Sequence, residues 1–460
     1  MNSYKNIILT IAATLVLFSC STSNHYQRSQ TNTDGLLGEV APDSLNLANE
    51  NWQDLFNDPM LDSLIAEGLR NNFDLQAAIQ RVNASEAYFN QSRAALLPSL
   101  SAQAGHTYVN TSESTSPNGP PSYNASQVIV QSSWEVDIWG KLNSAKKAAF
   151  FDYLATDAAK NAVKTRLISN IASAYYNLLA LDSKLAITHE TVKNSADLVE
   201  TMKSLKETGR VTGAAVVQSE AVRYAAEVTI PDIEQQIRET ENTLCLLLGR
   251  TPGPIARGKL EDQKANELLS TGVPAELLDN RPDVMQAEFG VISAYEMTNN
   301  ARAYFYPSVT LTANAGFEAL EFKDLFDPAS FAANIVGGLT QPIFNKRQNK
   351  TRLEVAKAQQ AAALANFSST LLNAGKEVNN ALSLYDASVQ KRELRQKQLE
   401  ALEKSVDYTK ELLNYGSATY TEVLNAQQSL LNARLSNVND HIQQLTAVVN
   451  LYHALGGGWK

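Results

Sequence analysis

Two long segments without proline, and almost without glycine, constrain this chain more than any other feature of its sequence. Residues 142–208 contain neither residue type, and residues 348–415 contain a single glycine. Proline and glycine are the residues that most readily interrupt helices. At 1.5 Å per residue, a helix over either segment would be about 100 Å long. Each segment ends at a glycine turn, and a return helix is predicted over residues 214–248 and again over residues 420–455.

The chain also contains an internal duplication. The matched pairs are Leu96–Ser101 with Phe305–Thr310, Asp137–Lys141 with Pro342–Lys346, and Leu248–Gly249 with Leu455–Gly456. The members of each pair lie about 205 to 209 residues apart. We therefore predict a first repeat over residues 51–249, a linker over 250–273 that is rich in proline and glycine, and a second repeat over 274–457. Each repeat would begin with one helix, over about residues 60–97 and 275–305.

Four segments of about ten residues alternate apolar with polar or small side chains. One example is Val309, Leu311 and Ala313, which alternate with Thr310, Thr312 and Asn314. This pattern predicts strands at about 99–109, 126–137, 308–318 and 331–341, each with one apolar face. Membrane-spanning β-strands have this pattern, and so do half-buried strands of soluble hairpins, so periodicity alone leaves both interpretations open.

Four strands are too few to cross a membrane on their own. Unpaired backbone amides at a sheet edge cost several kcal/mol each in lipid, and the smallest bacterial barrels have eight strands. A membrane sheet of four strands therefore predicts that several chains share one barrel, and three chains would supply twelve strands. The predicted fold class is mainly α with a small membrane β part. A heptad stripe in the second repeat, which includes Leu364, Phe367 and Leu371, predicts coiled-coil packing of the long helices.

The N-terminus predicts export and lipidation. Residues 1–19 form a signal peptide pattern with an apolar segment that is too short to span a bilayer. Leu17-Phe18-Ser19-Cys20 resembles a bacterial lipobox, in which Cys20 would become the lipidated first residue. The alternative is an ordinary signal peptide with an incidental cysteine. Residues 20–50 are rich in Ser, Thr and Asn and predict an extended tether, and Ser21 favours sorting to the outer membrane.

Composition excludes several functional classes. The net charge of −9 argues against a nucleic-acid partner. The two cysteines, Cys20 and Cys245, exclude a disulfide framework, and the chain contains none of the common hydrolase, metalloprotease or nucleotide-binding motifs. We therefore predict no catalytic residues, no metal site and no cofactor. Arg281, Asp283 and Glu288 resemble a catalytic cluster, but we interpret them as structural because they lie at a helix start.

Three motifs give the chain a family resemblance. They are Trp52-x-x-Leu55-Phe56-x-Asp58-Pro59-x-Leu61, Ala94-x-Leu96-Leu97-Pro98-Ser99-Leu100, and Leu278-x-x-Arg281-Pro282-Asp283-Val284-x-x-Ala287-Glu288. With these motifs the chain resembles the TolC-like outer membrane factors, specifically the lipoprotein branch that serves resistance-nodulation-division pumps. The resemblance implies a homotrimer with a β-barrel in the outer membrane and an α-barrel in the periplasm. It also implies two partners, a periplasmic adaptor protein and an inner-membrane pump.

The resemblance also assigns roles to the two glycine turns. The tips of the helical hairpins would dock the adaptor through Gly209, Val211, Thr212, Gly416, Ala418 and Thr419. The tips would also close the periplasmic end, with a gate formed by Tyr420, Glu422, Asn425 and Gln428. Relatives often carry Asp and Arg where this chain has Asn425 and Gln428. Amide contacts or a ring of Glu422 could replace a charged lock, or the amides could only pack between helices.

The resulting functional prediction is a passive trimeric export duct in the outer membrane. One alternative is an outer-membrane duct for protein or peptide secretion. A second is a lipid-anchored periplasmic scaffold without a pore, which would share the helices and Cys20 but would not need the alternating strands. The sequence does not identify the exported substrate.

Overall fold

The computed structural model describes residues 26–27, 51–110, 122–264 and 280–460. The signal peptide predicted over residues 1–19, the lipidation site Cys20 and all of the tether except residues 26–27 lie outside the described residues, as do residues 265–273 of the linker and 274–279 of the second repeat. The described chain is mainly helical with four strands, which confirms the predicted fold class at that level.

The elements follow the order that the duplication predicts. In the first repeat they are α1 Trp52–Phe56, α2 Pro59–Asn71, α3 Phe73–Ala94, β1 Ser99–Asn110, β2 Ser122–Val136, α4 Lys141–Glu207, α5 Gly213–Glu227 and α6 Thr229–Leu247. In the second they are α7 Pro282–Ala303, β3 Ser308–Ala319, β4 Phe331–Thr340, α8 Gln348–Asn414 and α9 Tyr420–Ala454. Short 3-10 helices lie at Leu260–Asp262, Phe322–Asp324 and Pro328–Ser330.

The chain divides into two compact units, each built from both repeats. Among the described residues, the sheet unit contains residues 26–27 and those within Arg81–Thr156 and Gln286–Ser368. The helical unit contains the described residues within Asn32–Gln80, Asp157–Met285 and Ser369–Lys460. All four strands belong to the sheet unit, and both glycine turns belong to the helical unit.

The sheet unit contains one antiparallel sheet with strand order β1-β2-β3-β4. Its register aligns the apolar positions of all four strands. One row across the sheet is Ala104, Val128, Phe317 and Phe331, and the Phe317 and Phe331 rings meet edge to face with centroids 5.7 Å apart. Because opposite residues in an antiparallel pair share a face, the sheet has one continuous apolar face.

The opposite face of the sheet is polar. A second row consists of Ser101, Gln131, Asn314 and Asn334, in which Asn314 Nδ2 donates to Asn334 Oδ1 at 3.1 Å.

Strand β2 begins at Ser122, four residues before its predicted start at 126. Within the described residues β1 and β4 each pair on one side only, so both edges of the sheet carry unpaired backbone groups.

Two helices that the sequence pattern treats as continuous are divided. The helix predicted over 60–97 breaks at Asn72, whose backbone is extended and whose side-chain Oδ1 accepts a hydrogen bond from Leu75 N at 2.9 Å. The return helix predicted over 214–248 divides at Val228. Pro231 lies in the first turn after that break, because proline is tolerated there and disrupts a helix interior. The second return helix, α9, contains no proline and runs unbroken for 35 residues.

The helical unit has an apolar core with polar anchors. Leu61, Ile65, Ile168, Ile171 and Leu451 are fully buried. Asp58 caps α2 and is also buried, and its Oδ2 accepts hydrogen bonds of 2.8 Å from Tyr175 Oη and 2.8 Å from Gln263 Nε2. A buried carboxylate is stable only when its oxygens are satisfied, so Asp58 holds α2, α4 and the middle of the linker together. In the described parts of the chain, no helix combines the length and apolarity needed to span a membrane.

Candidate functional site

The two hairpin tips end their long helices with the same backbone motif. Gly209 (φ 70°) and Gly416 (φ 76°) have left-handed conformations. After each helix, the glycine N–H and the next N–H bond to two carbonyl groups of the last turn, at Lys206 and Leu205 in the first tip and at Leu413 and Leu412 in the second. This pattern is the Schellman cap, which favours glycine at the left-handed position. The glycine spacing in the sequence therefore has a direct structural cause in both tips.

The helices that leave the tips begin differently. Thr212 and Thr419 both have extended backbones before α5 and α9. Glu422 Oε2 accepts a hydrogen bond from Thr419 N at 2.7 Å and another from Thr419 Oγ1 at 3.2 Å. These contacts belong to a capping box, which stabilises a helix start. The residue three places after Thr212 is Ala215, so α5 has no equivalent carboxylate. The Glu422 carboxylate is therefore engaged within its own helix.

An apolar cluster joins the two hairpins beneath their tips. Its buried members are Leu198, Met202, Val216, Leu413, Val423 and Leu424. Leu205, Val211, Val222 and Tyr420 pack against it and are partly buried. The cluster therefore draws residues from all four helices α4, α5, α8 and α9. Two of the predicted site residues, Val211 and Tyr420, owe part of their burial to this cluster.

A polar contact also joins the tips. Arg210 Nη2 donates to the backbone oxygen of Asn414, the last residue of α8, at 2.7 Å. A cation at a helix C-terminus satisfies a carbonyl group and interacts favourably with the helix dipole. Arg210 was missed by sequence reasoning, which selected its neighbours Gly209 and Val211. The basic residue within a glycine turn was a signal, but its acceptor lies 204 positions away along the chain.

Three of the four predicted gate residues lie on one side of α9, and the fourth, Tyr420, packs against the apolar cluster. Glu422, Asn425 and Gln428 are exposed, whereas Val423, Leu424 and Ala426 between them are buried. Their spacing of three residues places them on neighbouring turns of one helix face. Gln428 Nε2 donates to Asn432 Oδ1 at 3.3 Å, and the Asn425 side chain makes no hydrogen bond to another described residue. The structure thus presents two amides and a carboxylate at the surface near the tips.

The Arg281 cluster anchors a helix end. Arg281 is buried, and its guanidinium contacts Asp283 at 2.7 Å, Glu377 at 2.8 Å and the backbone oxygen of Ala454 at 2.8 Å. Burial alone would raise the pKa of Asp283, but hydrogen bonding to Arg281, the Arg281 charge and the hydrogen bond from Val284 N together outweigh burial and lower that pKa. Cys245 is buried in α6, with its Sγ 3.4 Å from the backbone oxygen of Gly253. Within the described part of the chain, no group of His, Cys, Asp and Glu is arranged to hold a metal ion.

Comparison with known proteins identifies the family. The sequence profile described as "Outer membrane efflux protein" matches residues 64–250 and 273–457. The chain belongs to this family. Its two matched stretches correspond to the duplication found in the sequence.

Relatives of this efflux protein align along nearly its whole length. It is 29% identical over 462 residues to the probable outer membrane lipoprotein SilC of Salmonella typhimurium, and the match covers 99% of each chain. It is 30% identical over 471 residues to the toluene efflux pump outer membrane protein TtgF of Pseudomonas putida, and that match covers 99% of this chain and 97% of TtgF. A crystal structure of CusC covers 95% of this chain and 100% of its own, with a TM-score of 0.85 and 27% identity.

These matches confirm four of the predictions made from the sequence: the family resemblance, the fold class, the role in efflux and the location in the outer membrane. The family consists of efflux channels rather than enzymes. The lipidation site, the docking tips and the gate residues are not tested by the matches, and they stay predictions.

Proposed function

We propose that three copies of this efflux protein form one passive export duct through the outer membrane. The observation that carries the proposal is the sheet, in which four apolar faces are in register and both edge strands have one unpaired side. A lipid-exposed edge leaves backbone groups unsatisfied at several kcal/mol each. Pairing β4 of one copy with β1 of the next removes every such edge, and three copies give a closed barrel of twelve strands.

The hairpin tips are the proposed periplasmic closure. Arg210 and the apolar cluster hold the two hairpins of one copy together. Across copies, Asn425 and Gln428 would meet as neutral amides, with Tyr420 packed behind them and Glu422 retained for capping α9. An amide contact is weaker than a charge-assisted one, so such a closure would open at a smaller energetic cost than a charged lock.

Docking of an adaptor would open the duct. The proposed contacts are Gly209, Val211 and Thr212 in one tip and Gly416, Ala418 and Thr419 in the other. A photoreactive amino acid at Ala418 in living cells should cross-link to a periplasmic protein. The same group at Lys404, which lies on α8 farther from the tip, should not. Equal cross-linking at both positions would contradict a docking role for the tips.

An inner-membrane pump of the resistance-nodulation-division class would supply the energy and select the cargo. The relatives support a permissive duct, because CusC of Escherichia coli K12 is described as a cation efflux protein and TtgF as a toluene efflux protein, at 28% and 30% identity to this chain. Relatives described for such different cargoes are similarly identical to this chain, which supports a duct that does little to select its substrate.

Lipidation of Cys20 is supported by the position of Tyr26. The Tyr26 ring meets the Tyr295 ring on α7 edge to face, with centroids 5.6 Å apart. Only five residues separate Cys20 from Tyr26 in the sequence, and six extended residues span at most about 20 Å. Tyr295 is eight residues before the end of α7, or about 12 Å along the helix, and β3 follows. A lipid anchor at Cys20 would therefore be able to reach the end of the sheet where we propose that the membrane begins.

A cysteine cross-linking experiment tests the shared barrel. One cysteine replaces Gln103 on β1, and a second is placed in turn at each position from 332 to 336 on β4, while single-cysteine variants serve as controls. Oxidation should give covalent trimers for at least one pair and no multimers for the single variants. Cross-linked dimers without trimers, or a monomer as the native mass in detergent, would contradict the proposal.

A further inference from the structure

The segment that joins β4 to α8 carries the most exposed apolar side chains of the described residues. Ile343 is 98% exposed and Phe344 is 85% exposed. They follow within four residues of the end of β4 at Thr340, beyond Leu339, which is 71% exposed on the apolar face of the sheet. Isolated apolar residues at a protein surface are common, but a contiguous exposed pair next to a membrane-facing sheet indicates a binding surface.

The first repeat shows that the fold does not require the exposure of Phe344. The position that corresponds to Phe344 is Trp139, which is half-buried. Its Nε1 donates to the backbone oxygen of Pro307 at 2.7 Å, and its ring stacks on Tyr306 with centroids 4.9 Å apart. Phe344 has no such ring contact with any described residue. The Phe344 position is therefore packed inward in the first repeat and exposed in the second, whereas Ile138, which corresponds to Ile343, is 55% exposed in the first repeat as well.

Four lysine and arginine residues follow the exposed pair closely in the sequence. Lys346, Arg347, Lys350 and Arg352 lie within seven residues, and no acidic residue occurs between 341 and 353, in a chain whose net charge is −9. The side chains of Lys346 and Lys350 form no ion pair or hydrogen bond within the part of the chain that the structure describes. Among the described residues, the Arg347 guanidinium pairs only with Glu354, at 3.0 Å. Helix α8 gains nothing from cations in its first turn, because the helix dipole is positive there.

Aromatic side chains surround the same end of the sheet. Tyr304 lies beneath Arg352, with the guanidinium carbon 3.7 Å from the ring centroid, and Lys141 lies 5.0 Å from the same ring. Trp139 and Tyr306 are adjacent. Tryptophan and tyrosine are enriched at membrane interfaces, where lysine and arginine reach the headgroups. The composition of this end of the sheet therefore matches the boundary between acyl chains and headgroups.

We propose that residues 343–350, the interfacial segment, bind anionic phospholipid in the periplasmic leaflet of the outer membrane. Ile343 and Phe344 enter the acyl region, continuing the apolar face of the sheet. Lys346, Arg347 and Lys350 bind headgroup phosphate, for which lysine and arginine are suitable partners. The proposal rests on the proposed function for the orientation of the sheet in the membrane. It adds a lipid class and a binding surface that a shared barrel does not require.

Three variants of the full-length, lipidated protein test the proposal. K346N/R347N/K350Q removes the cations, and asparagine tolerates the left-handed backbone of Lys346 (φ 52°) and Arg347 (φ 67°). I343S/F344S removes the apolar pair. K397Q/K404Q/K410Q is the control, since it makes the same change in net charge farther along α8. Native mass spectrometry measures binding of phosphatidylglycerol and of phosphatidylethanolamine to each variant.

The wild type and the control should bind phosphatidylglycerol in preference to phosphatidylethanolamine. K346N/R347N/K350Q should lose that preference, with phosphatidylglycerol binding roughly tenfold weaker or more. I343S/F344S should bind both lipids less well and keep the preference. Unchanged phosphatidylglycerol binding in K346N/R347N/K350Q would overturn the proposal. So would dissociation of I343S/F344S into monomers with lipid binding per chain unchanged, because the pair would then be a contact between copies.

The native mass and bilayer conductance of the wild type separate this inference from the proposed function. A trimeric, conducting wild type without lipid preference would overturn the interfacial segment alone. A wild type that binds phosphatidylglycerol through these cations but is monomeric would overturn the trimeric duct and retain the lipid site.

Discussion

The two repeats make an equivalent packing contact with side chains of different charge. In each, the end of the return helix packs on the residues just before the helix that leads into the sheet. In the first repeat Asn72 Nδ2 donates to the backbone oxygen of Leu247 at 2.9 Å. In the second, Arg281 Nη1 donates to the backbone oxygen of Ala454 at 2.8 Å. Arg281 corresponds to Asn72 in the duplication, so equivalent side chains reach equivalent carbonyl groups, one as a neutral amide and one as a buried cation.

Both contacts depend on a glycine after the return helix. Gly249 (φ 69°) and Gly456 (φ 79°) have left-handed backbones. A Cβ on Gly249 would lie 2.4 Å from the backbone oxygen of Asn71, and one on Gly456 would lie 2.3 Å from that of Asn280. The duplication thus retained the backbone geometry of the contact, while the polar group that completes it diverged.

The largest expected effect is at the buried cation. Arg281→Leu leaves the Ala454 carbonyl group and the half-buried carboxylates of Asp283 and Glu377 without their partner. Loss of the hydrogen bonds made by this one buried cation should cost about 3 kcal/mol of unfolding free energy. Lys397→Ala is the control, because its pair with Glu393 is exposed on both sides and contributes at most about 0.5 kcal/mol. Denaturant unfolding in detergent measures both. Equal losses in the two variants would show that the Arg281 network does not anchor the second repeat.

The next largest losses of unfolding free energy are expected at Gly249 and Gly456. Gly249→Ala and Gly456→Ala each combine a strained backbone with a clash against backbone, and each should cost about 2 kcal/mol or more. Gly140→Ala isolates the strain, because Gly140 has φ 72° but a Cβ added there would have no neighbour within 4 Å, and it should cost about 1 kcal/mol. Unfolding free energies of the three variants provide the comparison. If Gly140→Ala destabilises the protein as much as the other two, the close approach of the two backbones contributes nothing.

The neutral anchor should be weaker than the charged one. Asn72→Ala removes the bond to Leu247 and the cap on Leu75 N, and loss of such a cap costs about 1 kcal/mol. The unfolding free energies of Asn72→Ala and Arg281→Leu, measured under the same conditions, test the ranking. A loss at Asn72 equal to or greater than the loss at Arg281 would contradict it.

The smallest expected effect is a pH dependence confined to the second repeat. Burial, reinforced by the nearby Arg281 charge, lowers the pKa of His453 below its ordinary value of 6.5. The unfolded chain therefore takes up the proton first, and stability should fall as the pH drops from about 7 through 6.5 toward the lowered value. His453→Gln should remove this part of the acid destabilisation, a change below about 1 kcal/mol. The corresponding residue of the first repeat is Leu246, which cannot titrate. A pH profile unchanged in His453→Gln would contradict the assignment.

The sequence predicted the parts of the fold that depend on local pattern. The glycine turns at Gly209 and Gly416, the long helices and the four strands follow from residue spacing, because caps and periodicity act over a few residues. The break at Asn72 was not predicted, because an asparagine cap within an apolar-periodic segment is a weak signal. The Arg210 contact with Asn414 was not predictable, since no local pattern links residues 204 positions apart. The gate residues follow from the resemblance alone, and their contacts would lie between copies of the chain.

Single-channel conductance of the lipidated protein in planar bilayers tests the central claim most directly. The three proteins to compare are the wild type, N425S/Q428S at the proposed closure, and N437S/N439S, which changes two exposed amides farther along α9. A duct closed by amides at the tips predicts a small wild-type current, a larger current in N425S/Q428S and a wild-type current in the control. Equal currents in all three would remove the closure from Asn425 and Gln428. No current from any of them, in protein that forms cross-linked trimers through β1 and β4, would contradict the duct itself.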